Sequence, residues 1–560
     1  MLLDKDLLSI QEVRTKVEKA YAAAQKFQKF DQQQVDAIIE RIGAVARANA
    51  VRLAEMAVEE TTYGNVKDKT AKNLLCSDLL VRRMRGMKTI GVLREIPEEK
   101  IVEIGVPVGV VAAILPTTNP TSTAIYKVLV SMKAGNGVVV SPHPRAHQCT
   151  CYTSGLLYQA AVEAGAPEDI IQCIETATLE GTNALMRHER TGVIMATGGA
   201  SMVRAAYSSG KPAFGVGPGN VPVLIDTSAD LDDAVHQAVE GKAFDYGTVC
   251  SSEQAIVAEA SLRDRILARL KAEKAYLANE QQAAALGKLL IQPNWTVNPQ
   301  CVGQSPQKIA QMARFDVPAD TSIIAVEVGG VGKQYPLSAE KLSPVLALYF
   351  VRDFQAAMDT CWALLKFGGL GHTCVIHARD DAHVREFGLR MPAMRVLVNT
   401  GAPQGSTGIT TNVFPSMTLG CGAVAGNITS DNVGPQHLMN IKRIAWSVRK
   451  AEEAFEYQAE AAAPPAGLAG IDRQTVIAAV ERYLAARGVG SGAASPAPVG
   501  PAPAAAPSCA QSASGPSCAP DVTRSVVSNI AAEVVDRFLS RRGGPPSGSP
   551  PSGSPSSGYS

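Results

Sequence analysis

Short β-branched runs that recur with helical stretches between them constrain this chain more than any other feature. After an isolated Ile101-Val-Glu-Ile, they are Gly109-Val-Val-Ala-Ala-Ile-Leu115, Gly137-Val-Val-Val140, Thr191-Gly-Val-Ile-Met-Ala196 and Val221-Pro-Val-Leu-Ile225. Strand-helix-strand units in series build a parallel sheet. Before them, residues 10–65 carry apolar positions at helical spacing, such as Val13, Val17, Ala20 and Tyr21, then Val35, Ile38, Ile39, Ile42 and Val45, so helices open the chain. A second α/β region follows, with helical patterns over 231–243 and 262–280 and strand-like runs at 322–327, 374–377 and 396–399. Two α/β lobes fit a chain of 560 residues.

Past about residue 451 the composition shifts. Residues 488–520 and 543–560 are rich in Ala, Pro, Gly and Ser and cannot bury enough apolar surface to fold. Two amphipathic patterns are embedded there. In residues 471–487 the apolar positions Val476, Ile477, Val480, Tyr483 and Leu484 form one stripe, with Asp472 placed to cap the start and Gly488 to end it. Residues 521–542 repeat the pattern with Val526, Val527, Ile530, Val534 and Phe538. A disordered tail carrying short helices is expected.

Charge and cysteine usage exclude several classes. With 53 Lys and Arg against 52 Asp and Glu, and no basic blocks, no nucleic-acid or membrane-surface binding is expected. Eleven scattered cysteines, an odd count without a framework, read as a reducing cytoplasm. The close pair Cys149-Thr-Cys151 lacks zinc-ligand spacing, so no metal site is expected. The opening Met1-Leu-Leu-Asp-Lys-Asp lacks the basic start of an export signal, and the apolar runs are too short or too interrupted to span a membrane.

Three segments carry chemistry. Cys250 sits in the turn Phe244-Asp-Tyr-Gly-Thr-Val-Cys250 between a helix and an apolar run, where an accessible thiol is a candidate nucleophile. A cysteine taken alone is more often buried packing. Asn119 ends a strand just before Pro120 starts a helix, where its amide NH₂ can meet a developing oxyanion; taken alone, it is more commonly a turn residue. Thr197-Gly198-Gly199 follows a strand and opens a helix, so its backbone N–H groups can face a pyrophosphate, and Gly215-Val216-Gly217 belongs to a second glycine cluster. Either cluster by itself is an ordinary turn.

In order along the chain, Pro116-Thr117-Thr-Asn119-Pro120, Thr197-Gly198-Gly199, the 215–219 glycines, Gly-Thr-Val-Cys250 and Glu340-Lys-Leu-Ser-Pro344 resemble the aldehyde dehydrogenase superfamily over roughly residues 10–450. Ser141-Pro142-His143-Pro-Arg145, Phe367-Gly-Gly-Leu-Gly-His372-Thr373 and Thr418-Leu-Gly-Cys-Gly422 are similar to its CoA-acylating branch. The resemblance implies an α/β fold with a Rossmann-type coenzyme domain at 1–225, a catalytic thiol domain at 226–435, an oligomerisation hairpin near 92–108 and an oligomerisation strand at 436–450, then the tail from 451 to 560. It implies that Cys250 is the nucleophile and that Asn119 and the Cys250 N–H form the oxyanion hole. Glu340 would hold the nicotinamide ribose, with Pro344 close behind it. Pro116, Thr117, Thr197, Gly198, Gly199, Gly215, Val216 and Gly217 would line the coenzyme cleft, and Ser141, Pro142 and His143 would lie near the adenosine. His372 is a candidate for proton transfer to or from CoA, and equally a structural histidine.

Two departures refine this expectation. Hydrolytic members carry a Glu where this chain has Gly215, and loss of such a base slows water attack by ~10²–10⁴-fold. A thiol needs less help, which favours release as acyl-CoA. After Val140, many members carry Lys-Pro-x-Glu, but Ser141-Pro142-His143-Pro144 has neither charge; NAD is favoured and NADP stays open. The implied reaction oxidises a short-chain aldehyde, propionaldehyde before acetaldehyde, with CoA as co-substrate. The implied assembly is a homodimer or homotetramer. The tail resembles encapsulation peptides, which implies shell-protein partners in a bacterial microcompartment of the cytoplasm, as in propanediol utilisation. A hydrolytic aldehyde dehydrogenase and an inactive scaffold are the alternatives.

Overall fold

The computed structural model describes residues 4–455 and 473–486. The chain divides into two units, Met1–Trp446 and Ser447–Ser560. In the first, the opening helices start where capping chemistry places them. The Asp4 carboxylate accepts from the N–H groups of Asp6 and Leu7 to begin Lys5–Phe27, and a reciprocal Asp31–Gln34 capping box begins Gln32–Ala48. Val13, Val17, Ala20, Val35, Ile38 and Ile42 are fully enclosed, so the periodicity read from the sequence is the buried face.

The strands are β1 (Gly91–Ile96), β2 (Ile101–Pro107), β3 (Val110–Ile114), β4 (Gly137–Ser141), β5 (Ile171–Cys173), β6 (Thr191–Thr197), β7 (Ala213–Val216), β8 (Val221–Ile225), β9 (Glu253–Glu259), β10 (Tyr276–Leu277), β11 (Ile324–Glu327), β12 (Val345–Val351), β13 (Gly371–His377), β14 (Ala393–Val398) and β15 (Met439–Ala445). A five-stranded parallel sheet has the order β5-β4-β3-β6-β7 and a seven-stranded parallel sheet the order β10-β11-β12-β9-β8-β13-β14. β3 and β4 are buried along their whole length, as unbroken apolar runs require.

Two details differ from the sequence reading. Residues 221–225, grouped there with the first sheet, form β8 and pair with β9 and β13 in the second; the first sheet ends instead on β7. Pairing partners are non-local, and a run of apolar residues does not name them. The helix expected over 262–280 stops at Arg263–Ala272, because Lys274 takes φ 63° and turns the chain into β10 before Glu280–Leu290 begins.

The expected hairpin at 92–108 is β1–β2, and β15 pairs along β2 to make a third, antiparallel sheet. Glu103 in β2 receives Arg94 from β1 (2.6 Å) and Arg443 from β15 (2.8 Å), one carboxylate tying both neighbours.

The site lies at the carboxyl ends of the first sheet, where doubly wound sheets open a crevice. The helix Pro120–Lys133, buried at every residue, fills the space behind β3 and β6. From it Lys127 Nζ donates to the carbonyls of Ile114 (2.6 Å) and Met195 (2.8 Å), one on each strand. Tyr126 donates to the Val433 carbonyl (2.7 Å) and so fixes the return segment against the same helix.

In the second unit, the pattern read over 471–487 appears as the helix Arg473–Ala486. Its expected cap Asp472, the pattern at 521–542 and the segments 488–520 and 543–560 lie outside the described residues. No helix among the described residues is long and apolar enough to cross a membrane.

Candidate active site

One cavity of about 640 Å³ brings together residues that are far apart in sequence. Its wall includes Pro116, Thr117 and Asn119 beyond β3, Ser141, Pro142 and His143 at the end of β4 and just past it, and Thr197, Gly198 and Gly199 at the end of β6 and just past it. Val216, Gly217, Cys250 and Glu340 complete the set. Of the residues singled out from sequence, Gly215, Pro344 and His372 are not on this wall.

The loop before Cys250 is forced into shape. Asp245 and Tyr246 take φ 47° and 53°, a left-handed conformation uncommon for residues with a side chain, and Gly247 continues it at 71°. A Cβ on Gly247 would lie 2.8 Å from the Ser343 carbonyl, so the turn leaves no room for one. Cys250 is half-buried at the end of this loop. Gly219 packs directly on it, since a Cβ there would lie 2.0 Å from the Cys250 carbonyl oxygen.

Burial, with smaller contributions from Glu340 and Cys421, pushes the Cys250 thiol up to about 12; Arg395 and its own N–H, which hydrogen-bonds the sulfur, oppose that shift. Glu340 is likewise pushed up to about 8 by burial, and its Oε1 accepts from the Gly219 N–H (3.2 Å). The two groups at the thiol end of the cavity are therefore mostly protonated at neutral pH when no ligand shares it.

His372 is fully enclosed in β13, with Nδ1 3.0 Å from Thr373 Oγ1 and no partner at Nε2 among the described residues. Burial and the Arg395 charge lower it to about 3. An imidazole this weakly basic is neutral at pH 7, and its enclosure in β13 matches the structural alternative read from its motif. Gly215 also differs from expectation. A Cβ there would lie 2.7 Å from Val203 Cγ1 and 3.0 Å from Tyr207 Cε2, so the missing side chain serves the packing of helix Ala200–Tyr207 on β7. Pro344 sits beside β12, where its carbonyl accepts from Ile324.

Sequence reasoning missed the lysines of helix Val66–Leu74. Lys69 and Lys72 are both buried and both reach the Asp245 carboxylate, Lys69 at 3.0 Å. Periodicity arguments weight apolar positions and assign lysine to solvent, which hides such residues.

With this geometry in place, comparison with known proteins is decisive. Residues 6–294 match the aldehyde dehydrogenase family. The chain belongs to that family. It is 43% identical over 443 residues to the bifunctional aldehyde-alcohol dehydrogenase of Escherichia coli K12, across 78% of this chain and 50% of that protein. The chain thus spans about half the length of the curated relatives it first matches. Among solved structures it is similar to an acetylating aldehyde dehydrogenase from Geobacillus thermoglucosidasius, at 48% identity and a TM-score of 0.79, covering 80% of this chain and 99% of that one. It is also similar to a propionaldehyde dehydrogenase from the Clostridium phytofermentans fucose utilisation bacterial microcompartment, at 27% identity and a TM-score of 0.70, covering 78% of this chain and 98% of that one.

Aldehyde dehydrogenases use NAD or NADP, and the cavity fits such a coenzyme. Thr197 Oγ1 is buried without a partner among the described residues, and the helix that follows, Ala200–Tyr207, has Gly199 as its N-cap and no side-chain cap. An unpaired hydroxyl beside free helix N–H groups is suited to a pyrophosphate.

The raised thiol has a measurable consequence. Below its pKa the thiolate fraction climbs about tenfold per pH unit, so inactivation of the free aldehyde dehydrogenase by iodoacetamide at Cys250 should rise with that slope from pH 7 to 9. A rate already flat at pH 7 would show that the thiol is ionised there and contradict the burial argument.

Proposed function

We propose that this aldehyde dehydrogenase oxidises a short-chain aldehyde to its acyl-CoA with reduction of NAD, reversibly, through a thiohemiacetal and an acyl thioester on Cys250. The observation that carries the reading is the shared wall. Cys250 and Asn119 line the same cavity as the pyrophosphate-fitting turn, and the one carboxylate on that wall among the described residues is Glu340.

In this reading Cys250 Sγ bonds to the aldehyde carbon while its proton leaves to solvent, and the carbonyl oxygen takes the negative charge. Asn119 Nδ2 and the Cys250 N–H meet that oxyanion. Glu340 would hold the nicotinamide ribose, and the bound coenzyme would supply the hydride acceptor. Cys250 then carries an acyl thioester. The CoA thiolate attacks the thioester carbon, the bond to Sγ breaks, and Cys250 leaves as thiolate, giving a ping-pong order. Hydrolysis would need a base to activate water. Glu340 accepts from Gly219 and would hold the ribose, and Gly215 offers no carboxylate.

The lining also supports an uncharged substrate. Val249, Val297, Val302, Leu342, Met417 and Leu419 are apolar, and no Lys or Arg of the described residues lines the cavity. An aldehyde bearing a second, anionic group would find no partner there, whereas propionaldehyde or acetaldehyde needs none. The same absence favours NAD, because the nearby Arg145 donates to Tyr63 Oη (2.9 Å) and stacks on its ring instead of facing a 2′-phosphate. Propionaldehyde is the preferred substrate in this reading, supported by the likeness to the microcompartment enzyme.

NADH formation from propionaldehyde should depend on CoA, and Cys250→Ala should abolish it in both directions. Equal NADH formation without CoA, with carboxylate as product, would favour the hydrolytic reading. An inert wild type would favour the scaffold.

The exposed strand β15, with Ile441 and Ile444, and Trp446 just after it, each more than two-fifths exposed, supports assembly into a homodimer or homotetramer through this sheet. The tail helix supports a shell-protein partner: it forms a regular Arg473–Ala486 helix with Ile477 44% exposed. Such short helices gain stability by burying their stripe on a partner. Deleting residues 451–560 should leave aldehyde oxidation intact and abolish co-purification with microcompartment shells. Packaging of the shortened enzyme would place the signal elsewhere.

A further inference from the structure

The reading of Asn119 as an oxyanion donor leaves one physical question open. A carboxamide has two ends of nearly equal size, one an acceptor and one a donor, and only the donor end stabilises an oxyanion. Something must decide which end faces Cys250.

The deciding group is buried beneath it. Lys72 Nζ, from helix Val66–Leu74, donates to Asn119 Oδ1, to Asp245 Oδ2 and to Thr248 Oγ1 (3.3 Å), so all its hydrogens have acceptors. An ammonium can only donate, and the amide end that faces it must therefore be oxygen. Asn119 Nδ2 gives one hydrogen to Thr118 Oγ1 (3.2 Å), and among the described residues no acceptor takes the other. We propose that Lys72 is a positioning residue that fixes the Asn119 carboxamide, its oxygen held by the ammonium and its NH₂ left for the oxyanion at Cys250. This rests on the reading of Cys250 as nucleophile.

The rest of the cluster keeps Lys72 in place. Asp245 Oδ2 also receives Lys69 (3.0 Å) and the Thr248 hydroxyl, and Asp245 Oδ1 accepts from the Asn65 N–H (2.9 Å). Lys69 in turn donates to the Thr118 carbonyl (2.8 Å), the residue before Asn119. The carboxylate thus ties helix Val66–Leu74, the end of the β3 segment and the nucleophile's loop to one point. Gly64 makes room for it, since a Cβ there would lie 1.8 Å from Asp245 Oδ1. A charge-assisted bond to the amide oxygen also draws density from the nitrogen and strengthens its N–H as a donor. Burial lowers Lys72 to about 8 against the pull of Asp245, which leaves it mainly charged at pH 7.

The test is a double-mutant cycle on the full-length enzyme, reading kcat for CoA-dependent NADH formation. Lys72→Met removes the donor at nearly constant volume and should lower kcat by ~10–100-fold. KM for NAD and for CoA should stay within about two-fold, since neither contact is touched. In an Asn119→Ala background the same change should cost less than about two-fold, because the group it orients is gone. A Lys72 with only a structural role would impose its full loss in both backgrounds, and that result, or an unchanged kcat for Lys72→Met, overturns the proposal. Should Lys72→Met not accumulate as folded enzyme, Lys72→Gln, whose amide can donate or accept and so restores the ambiguity, carries the same comparison. Full activity in Cys250→Ala would remove the nucleophile itself, a failure of the functional reading that is distinguishable from multiplicative effects in an enzyme that still needs Cys250.

Discussion

A buried carboxylate shared by two buried lysines ties together the segments that carry the candidate site. Asp245 is fully enclosed, and Lys69 and Lys72 are enclosed with it. Burying three charges is costly, and the cost is offset only because the hydrogen bonds are nearly complete and come from several elements. Removing one partner would leave an uncompensated charge in the interior. The arrangement therefore behaves as a unit, and it sits where the loop before Cys250, with Asp245 and Tyr246 in left-handed backbone, meets the segment beyond β3.

The environment this creates explains the chemistry better than any residue taken singly. The cavity wall carries one carboxylate and no Lys or Arg among the described residues, and burial holds the thiol of Cys250 and the carboxyl of Glu340 toward their neutral forms. In the proposed reaction a low-charge cavity suits a small aldehyde, and a low local dielectric strengthens the contacts of Asn119 and the Cys250 N–H with the oxyanion. Lys127 ties β3 to β6 by hydrogen bonds to main chain, and the start of helix Ala200–Tyr207, which follows β6, has no side-chain cap.

Much of the fold was legible because burial leaves a mark on composition. β3 and β4 read as unbroken apolar runs since both faces are covered, and the stripe of Ile38, Ile39 and Ile42 reads as a helix face since only one side is. What was not legible depends on who neighbours whom. β8 looks like its predecessors but pairs in the other sheet, and the break at Lys274 rests on a local left-handed residue rather than on glycine or proline. At the site, the ordered motifs located Cys250, Asn119 and Glu340, which the cavity brings together. His372 and Gly215 were assigned from motif position, yet the first is sealed in the core and the second makes room for Val203 and Tyr207. Lys72 gave no signal at all, because a lysine in a polar helix reads as surface until its partner Asp245 is placed opposite.

The central claim is that an acyl group rests on Cys250 and leaves to a thiol, not to water. Mass spectrometry of the intact protein and of its peptides, on enzyme quenched after mixing with propionaldehyde and NAD but no CoA, tests it most directly. The account predicts a propionyl adduct on the peptide that carries Cys250, stable over many turnover times and discharged as propionyl-CoA when CoA is added. An adduct-free enzyme that accumulates propionate at the same rate with or without CoA would contradict it.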